Sequence, residues 1–151
     1  MSALLVMACS SKKKRIADIP IDLYLGVMYQ TYRAQVGKKE PRVVILSAEH
    51  GFIDSHLIIA PYERPMTRER SDAMLADLPR FNHAVWGLLA PDEILLAGGE
   101  LYRRVMRAAL AYEVSKGYVP ATARVRETTG GIGYQRQQLG AWLREVTHPQ
   151  E

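Results

Sequence analysis

Chemistry-bearing residues collect at four places, each directly after a short apolar run. Cys9-Ser10-Ser11-Lys12-Lys13 follows the run from Ala3 to Ala8, and Ser47-Ala48-Glu49-His50-Gly51 follows Val43-Val44-Ile45-Leu46. Gly98-Gly99 follows Glu93-Ile94-Leu95-Leu96-Ala97, and Thr129-Gly130-Gly131-Ile132-Gly133 follows a short run around Ala123-Arg124-Val125-Arg126. Hydroxyls beside cations can hold a phosphate or the polar edge of a base. Glycines let a ligand come close to the backbone. A loop that runs into a helix offers free N–H groups to an anion. Each group also has a plainer reading: Ser10, Ser11 and Lys13 as a solvated turn, Gly98 and Gly99 as close strand–helix packing, and Gly130, Gly131 and Gly133 as a tight turn. The carboxylates near these loops are Asp18, Glu49, Asp54 and Glu63, and periodicity does not rank them. His50 lies in a polar loop between Glu49 and Gly51, open to a site role or to a structural hydrogen bond. Tyr62, in the apolar segment Ile59-Ala60-Pro61-Tyr62, can stack on a base or pack on the core, and Tyr24, Tyr29 and Tyr102 carry the same two readings.

Standard fingerprints are missing from these loops. Gly130-Gly131-Ile132-Gly133 is not the dinucleotide GxGxxG, and there is no Walker A sequence and no GxSxG elbow. The spacing from His50 to His56 is no recognised metal pattern. Cys9 is the single cysteine, which excludes an intramolecular disulfide framework and a cysteine-built zinc site, and nothing local marks it as an activated nucleophile. The expectation is no metal and no cofactor.

The elements that would position these residues alternate. Continuous apolar runs at 3–8, 43–46 and 93–97 read as strands buried on both faces. Helical spacing runs from Asp22 to Val36, from Ser71 to Leu78, from Pro79 to Leu89, from Glu100 to Ser115 and from Tyr134 to Val146. The stretch from Phe52 to Pro65 reads as irregular, punctuated by Pro61 and Pro65. The pattern predicts one α/β domain over residues 1–151, with a small, mainly parallel sheet of about four strands flanked by helices. In such a sheet the carboxyl ends of the strands share one edge, where ligands bind.

Composition narrows the function classes. The chain has 151 residues, of which 48% are apolar and 24% charged, as expected of a soluble globular domain rather than a disordered or low-complexity one. No apolar run approaches the length of a membrane span, and the run from Ala3 to Ala8 is too short for a signal-peptide core. A reduced, cytoplasmic setting with no membrane partner is the expectation. Net charge is +4, and 14 of the 20 basic residues are Arg, which suits bidentate phosphate contact. Residues 1–44 hold eight basic residues against three acids. Either an anionic partner such as nucleic acid or a solvated basic surface accounts for this.

Several segments resemble one family in order. Ile45-Leu46-Ser47-Ala48-Glu49-His50-Gly51-Phe52-Ile53-Asp54, followed by Ile59-Ala60-Pro61-Tyr62 and Met66, resembles a signature of the YaaA peroxide-stress proteins. Further segments resemble a smaller bacterial and phage domain family related to YaaA. These are Ala8-Cys9-Ser10-Ser11-Lys12-Lys13, Leu23-Tyr24, Ala97-Gly98-Gly99-Glu100-Leu101-Tyr102, and Gly131-Ile132-Gly133 with Leu139 and Trp142-Leu143. YaaA proteins are α/β and DNA-associated; they are longer than this chain, and their helix-hairpin-helix-like DNA element has no clear counterpart in it. A related set of small proteins comprises base-excising DNA glycosylases used against phages with modified cytosines.

The resemblance, with the basic excess, implies an N-glycosidase that excises a modified base from DNA. Alternatives are a non-catalytic DNA- or nucleotide-binding stress protein and a small-molecule nucleoside hydrolase or transferase. On the leading reading His50, Asp54, Glu49 and Asp18 supply the catalytic groups. Substrate would be held by Ser10, Ser11, Lys13, Tyr24, Ser47, Gly51, Pro61, Tyr62, Gly98, Gly99, Tyr102, Gly130, Gly131, Gly133 and Arg136.

Overall fold

Strand β1 (Ala3–Ala8) lies in the middle of the sheet and is buried on both faces. In the computed structural model, which describes residues 2–10 and 13–148, it is followed by α1 (Pro20–Leu23), α2 (Val27–Gln35) and β2 (Arg42–Ser47). β3 (Gly51–Asp54), α3 (Arg68–Ala76) and a short 3₁₀ turn (Leu78–Phe81) lead to β4 (Glu93–Ala97). α4 (Glu100–Ser115), β5 (Arg124–Glu127) and α5 (Ile132–Thr147) complete the chain. The strand order is β3-β2-β1-β4-β5, with β3 antiparallel and all other pairs parallel.

Successive strand residues point to opposite faces, so each apolar run feeds two cores. Leu5, Met7, Val43, Ile45 and Leu95 pack against Leu23, Tyr24, Met28 and Tyr29, together with Leu139, Trp142 and Leu143 of α5. Leu4, Val6, Val44, Leu46, Ile94 and Leu96 pack against Met74, Trp86, Val105, Met106 and Ala109 on the other face. The sheet is thus sandwiched between helix layers. Because β2 lies on one side of β1 and β4 on the other, the connections leave β1 and β4 in opposite directions and open a crevice at their carboxyl ends.

The structure corrects three expectations. The sheet has five strands and is mixed, not four and mainly parallel. The added strand begins at Gly51, whose φ of +76° reverses the chain so that Ile53 and Phe52 pair back on Ile45 and Leu46. A side chain at Gly51 would also collide with the Phe81 carbonyl. The helix expected over 79–89 is only the 3₁₀ turn. After it, Asn82 Oδ1 accepts hydrogen bonds from the Ala84 N–H and Trp86 Nε1, while Asn82 Nδ2 donates to Glu113. These bonds compete with helix continuation, and Leu89 and Ala90 then turn left-handed ahead of Pro91. The helix expected over 22–36 is split at Gly26, where a side chain would strike Ser10 Oγ.

Candidate active site

The loops after β1 and β4 and the start of α5 meet at one edge of the sheet. A cavity of about 350 Å³ there is lined by Cys9, Ser10, Gly26, Gly98, Gly99, Tyr102, Ile132 and Gln135 together with apolar residues of β1, α2 and β4. Gly26, Gly99 and Gly131 are the N-caps of α2, α4 and α5, all extended and without side-chain caps. The first N–H groups of these helices are left to other partners. Gln135 is buried and fixed in place: its Oε1 accepts from Thr128 Oγ1 at 2.9 Å and its Nε2 donates to the Gly130 carbonyl at 2.9 Å. Thr128 Oγ1 accepts from the Gly98 N–H at 3.1 Å, which ties β4, β5 and α5 together at this edge.

A second cavity of about 500 Å³ adjoins the first and shares Cys9, Ser10 and Tyr102 with it. Its remaining walls are Lys13, Glu63, Arg64, Pro65 and Met66. Cys9 Sγ and the Tyr102 hydroxyl, 3.3 Å apart, stand between the two spaces. Both volumes fall within the ~300–1,000 Å³ range of small-ligand sites.

Behind this wall is a chain of hydroxyls. Ser47 Oγ donates to the Tyr62 hydroxyl at 2.6 Å, and Tyr62 is in turn 2.6 Å from the Tyr24 hydroxyl. Ser47 Oγ accepts from the N–H groups of Glu49 at 3.1 Å and His50 at 3.0 Å, which shapes the turn after β2. Arg70 clamps the same turn from α3, its guanidinium donating to the carbonyls of Ala48 and Glu49. Lys13 bridges to Tyr24 through the backbone, and its ammonium sits 4.6 Å from the Tyr62 ring centre. Burial, foremost, drives the phenols of Tyr62 and Tyr102 well above the ordinary tyrosine value, with Cys9 adding to the effect at both. They remain neutral hydrogen-bonding groups at any physiological pH.

The expected site residues therefore divide. Ser10, Lys13, Gly98, Gly99 and Tyr102 line the cavities. Tyr24, Ser47 and Tyr62 stand directly behind Lys13 and line neither cavity, so Tyr62 acts as a support here rather than as a free stacking face. His50 packs edge-on against Tyr62 with ring centres 5.1 Å apart, and its Nε2 is buried without a hydrogen-bond partner among the described residues. Gly51 is spent on the reversal into β3, and Pro61 is exposed in the loop before Tyr62. Gly130 takes φ +80° ahead of the Gly131 cap, and Gly133 is in the first turn of α5; of this loop, Ile132 reaches the cavity. Arg136 faces a groove between α2 and α5. Ser11 and Lys12 lie outside the described residues.

None of the four groups expected to be catalytic lines either cavity. Asp54 ends the antiparallel strand, so it is carried to the opposite edge of the sheet, where it pairs with Arg42 at 3.0 Å. Asp18 pairs with Lys14 at 2.7 Å and accepts the Ile19 N–H, outside both cavities. Glu49 faces Arg64 at 3.5 Å. The carboxylate that lines the larger cavity is Glu63, directly after Tyr62, and it makes no ion pair among the described residues. Met66, the end of the signature segment, lines the cavity with it, and Arg64, Arg70 and Gln135 join the site unannounced. Arg70 lies in a polar helix with no motif around it, and Arg64 differs from other surface arginines only in the Pro65 that follows it. Among the described residues there is no group of three or more His, Cys, Asp or Glu side chains that could hold a metal ion, and no helix is long and apolar enough to cross a membrane.

Ser47→Ala tests the scaffold. It leaves two N–H groups and a phenol short of a partner at a fully buried position. The expected cost is about 2 kcal/mol, or roughly 4–8 °C in Tm. An unchanged melting temperature would show that Arg70 alone holds the turn.

Comparison with known proteins gives a family without an assigned activity. Residues 4–139 match the model of a family of unknown function, DUF6884. The chain is similar to the uncharacterized protein YfjM of Bacillus subtilis (strain 168), with 27% identity over 154 residues that cover 96% of this chain and 97% of that protein. No solved structure matches.

Proposed function

We propose a function from the premise that the chain belongs to the DUF6884 family: it hydrolyses the N-glycosidic bond of a modified base in DNA and leaves an abasic site. The observation that carries this reading is the larger cavity. One carboxylate (Glu63), two cations (Lys13 and Arg64) and a largely apolar wall (Pro65, Met66 and Tyr102) face a single space. Base excision needs those three things together. The base leaves the stack and rests against an apolar or aromatic surface. Cations grip the flanking phosphate. As the C1′–N bond breaks, positive charge grows on the sugar, and a carboxylate stabilises it.

In this reading Glu63 also takes a proton from the attacking water. The water oxygen bonds to C1′, and the base departs with the electron pair of the broken bond and is protonated from solvent. Tyr102, held neutral by burial, can donate a hydrogen bond to the departing base without giving up its proton. The sequence resemblance to glycosylases directed at phage DNA makes DNA with modified cytosines the first substrate to try.

The test is incubation of the protein with cytosine-modified DNA, plain DNA and a mixture of free nucleosides. Alkali-labile sites and released base from the modified DNA are expected. Release from nucleosides alone would replace this reading with a nucleoside hydrolase. DNA binding with no base release from any substrate would leave a binding protein.

A further inference from the structure

We propose that the groove between α2 and α5 carries a single nucleic-acid strand by its phosphodiester backbone, alongside the cleft. The inference rests on the nucleic-acid reading above but not on its chemistry. The groove encloses about 420 Å³, and its polar lining is Gln30, Thr31, Gln35, Arg136, Gln137 and Arg144. Val27 lines both this groove and the smaller cavity, so a strand lying in the groove runs onto the site.

The charge in the groove has no acidic partner among the described residues, whereas the arginines of α4 and β5 are paired with acids. Arg103 and Arg107 pair with Glu100 and Glu127, Arg104 pairs with Asp72, and Arg126 pairs with Glu93. The two helices that form the groove carry one carboxylate between them, Glu145, and it turns away to Arg126 at 3.2 Å. Arg136 makes no ion pair among the described residues, and Arg144 donates only to the neutral Gln35 at 3.0 Å. Two uncompensated guanidiniums with amides and a hydroxyl between them are the side chains that bind phosphate and sugar in nucleic-acid complexes. Eight residues of helix place the two arginines about 12 Å apart along α5, far enough to engage separate phosphates. Gly140 lies between them, where a side chain would come within 3.2 Å of Arg144 Nη1 and narrow the channel.

The experiment is an anisotropy titration of a labelled single-stranded DNA at several salt concentrations. It uses wild type, the double variant Arg136→Gln/Arg144→Gln, and Lys116→Gln at the C-cap of α4 as a charge control. Both groove positions are exposed, so melting temperatures should match. The double variant should bind about tenfold more weakly, with the log–log salt slope reduced by about 1.4, since each phosphate contact on a single strand contributes about 0.7. The control should behave as wild type. Equal affinity and slope in the double variant, or equal losses in the control, would overturn the groove, as would wild type that binds no strand. Base release on the same samples separates the two proposals. Groove-dependent binding without base release would sink the glycosidase and keep the groove; base release with groove-independent binding would do the reverse.

Discussion

Glu63→Gln should slow base release at least a hundredfold while leaving strand affinity and melting temperature near wild type. A positioned general base contributes about 10²–10⁴ in rate, or about 3–5 kcal/mol of transition-state stabilisation. Gln keeps the size of Glu63 but can neither take the proton of water nor offset charge on the sugar. The side chain is exposed in the cavity wall and pairs with nothing among the described residues, so its replacement costs the fold little. The contrast with the other carboxylates is the sharper measurement. Glu49→Gln loses an ion pair to Arg64 and should keep most activity. Asp54→Asn breaks the Arg42 pair at the far edge and should lower stability with the rate per folded molecule unchanged. Full activity in Glu63→Gln would remove the carboxylate from the mechanism and with it the assignment of the larger cavity.

Stability should collapse above about pH 10. Tyrosine in an unfolded chain ionises near pH 10. Burial above all raises the phenols of Tyr24 and Tyr29 well beyond that value, with Cys9 adding to it at both. The folded state then keeps protons that the unfolded state gives up, so stability is full below about pH 10 and falls as pH rises further. Each such phenol contributes a slope of about 1.4 kcal/mol per pH unit, and these two together give about 3. Tyr62 and Tyr102, raised in the same direction, steepen the loss. A denaturant-unfolding series from about pH 8 to about pH 11 measures it. Tyr29→Phe should flatten the curve by one phenol's share, and the buried phenols should add their phenolate absorbance only with unfolding. Stability that stays level through this range would mean that the hydroxyl cluster is open to solvent.

Much of this frame is legible in the sequence, and the exceptions have physical causes. β1, β2 and β4 announce themselves because parallel strands buried on both faces need unbroken apolar runs. β3 does not, since a four-residue strand beginning on a glycine is defined by its tertiary pairing with β2 and by little else. That single omission also misplaces Asp54: a loop residue would stay near the carboxyl ends, whereas an antiparallel strand carries it away. Pro79 suits a helix start, but the side chain of Asn82 captures the groups that would have continued it. Ser10, Lys13, Gly98, Gly99 and Tyr102 reach the cleft because strand ends and helix starts place them there. Whether Tyr62 lines a pocket or backs one depends on Lys13 lying across its ring, a contact that no spacing encodes.

The position of β1 also sets the timing of assembly during synthesis. β1 leaves the ribosome before both of its neighbours, and Ser2 meets Asp92 across a separation of 90 residues. At about 5–20 residues per second, the run Leu4–Met7, buried almost completely in the finished protein, waits roughly 5–20 seconds for β4. β2 covers one edge of this uncharged strand earlier, and the other edge stays open to pairing with copies of itself until β4 arrives. Cys9 and Ser10 hang from that strand, and the cleft closes around them only when β4 and α4 dock. The cleft therefore forms in one late step, and a chain truncated before β4 lacks it.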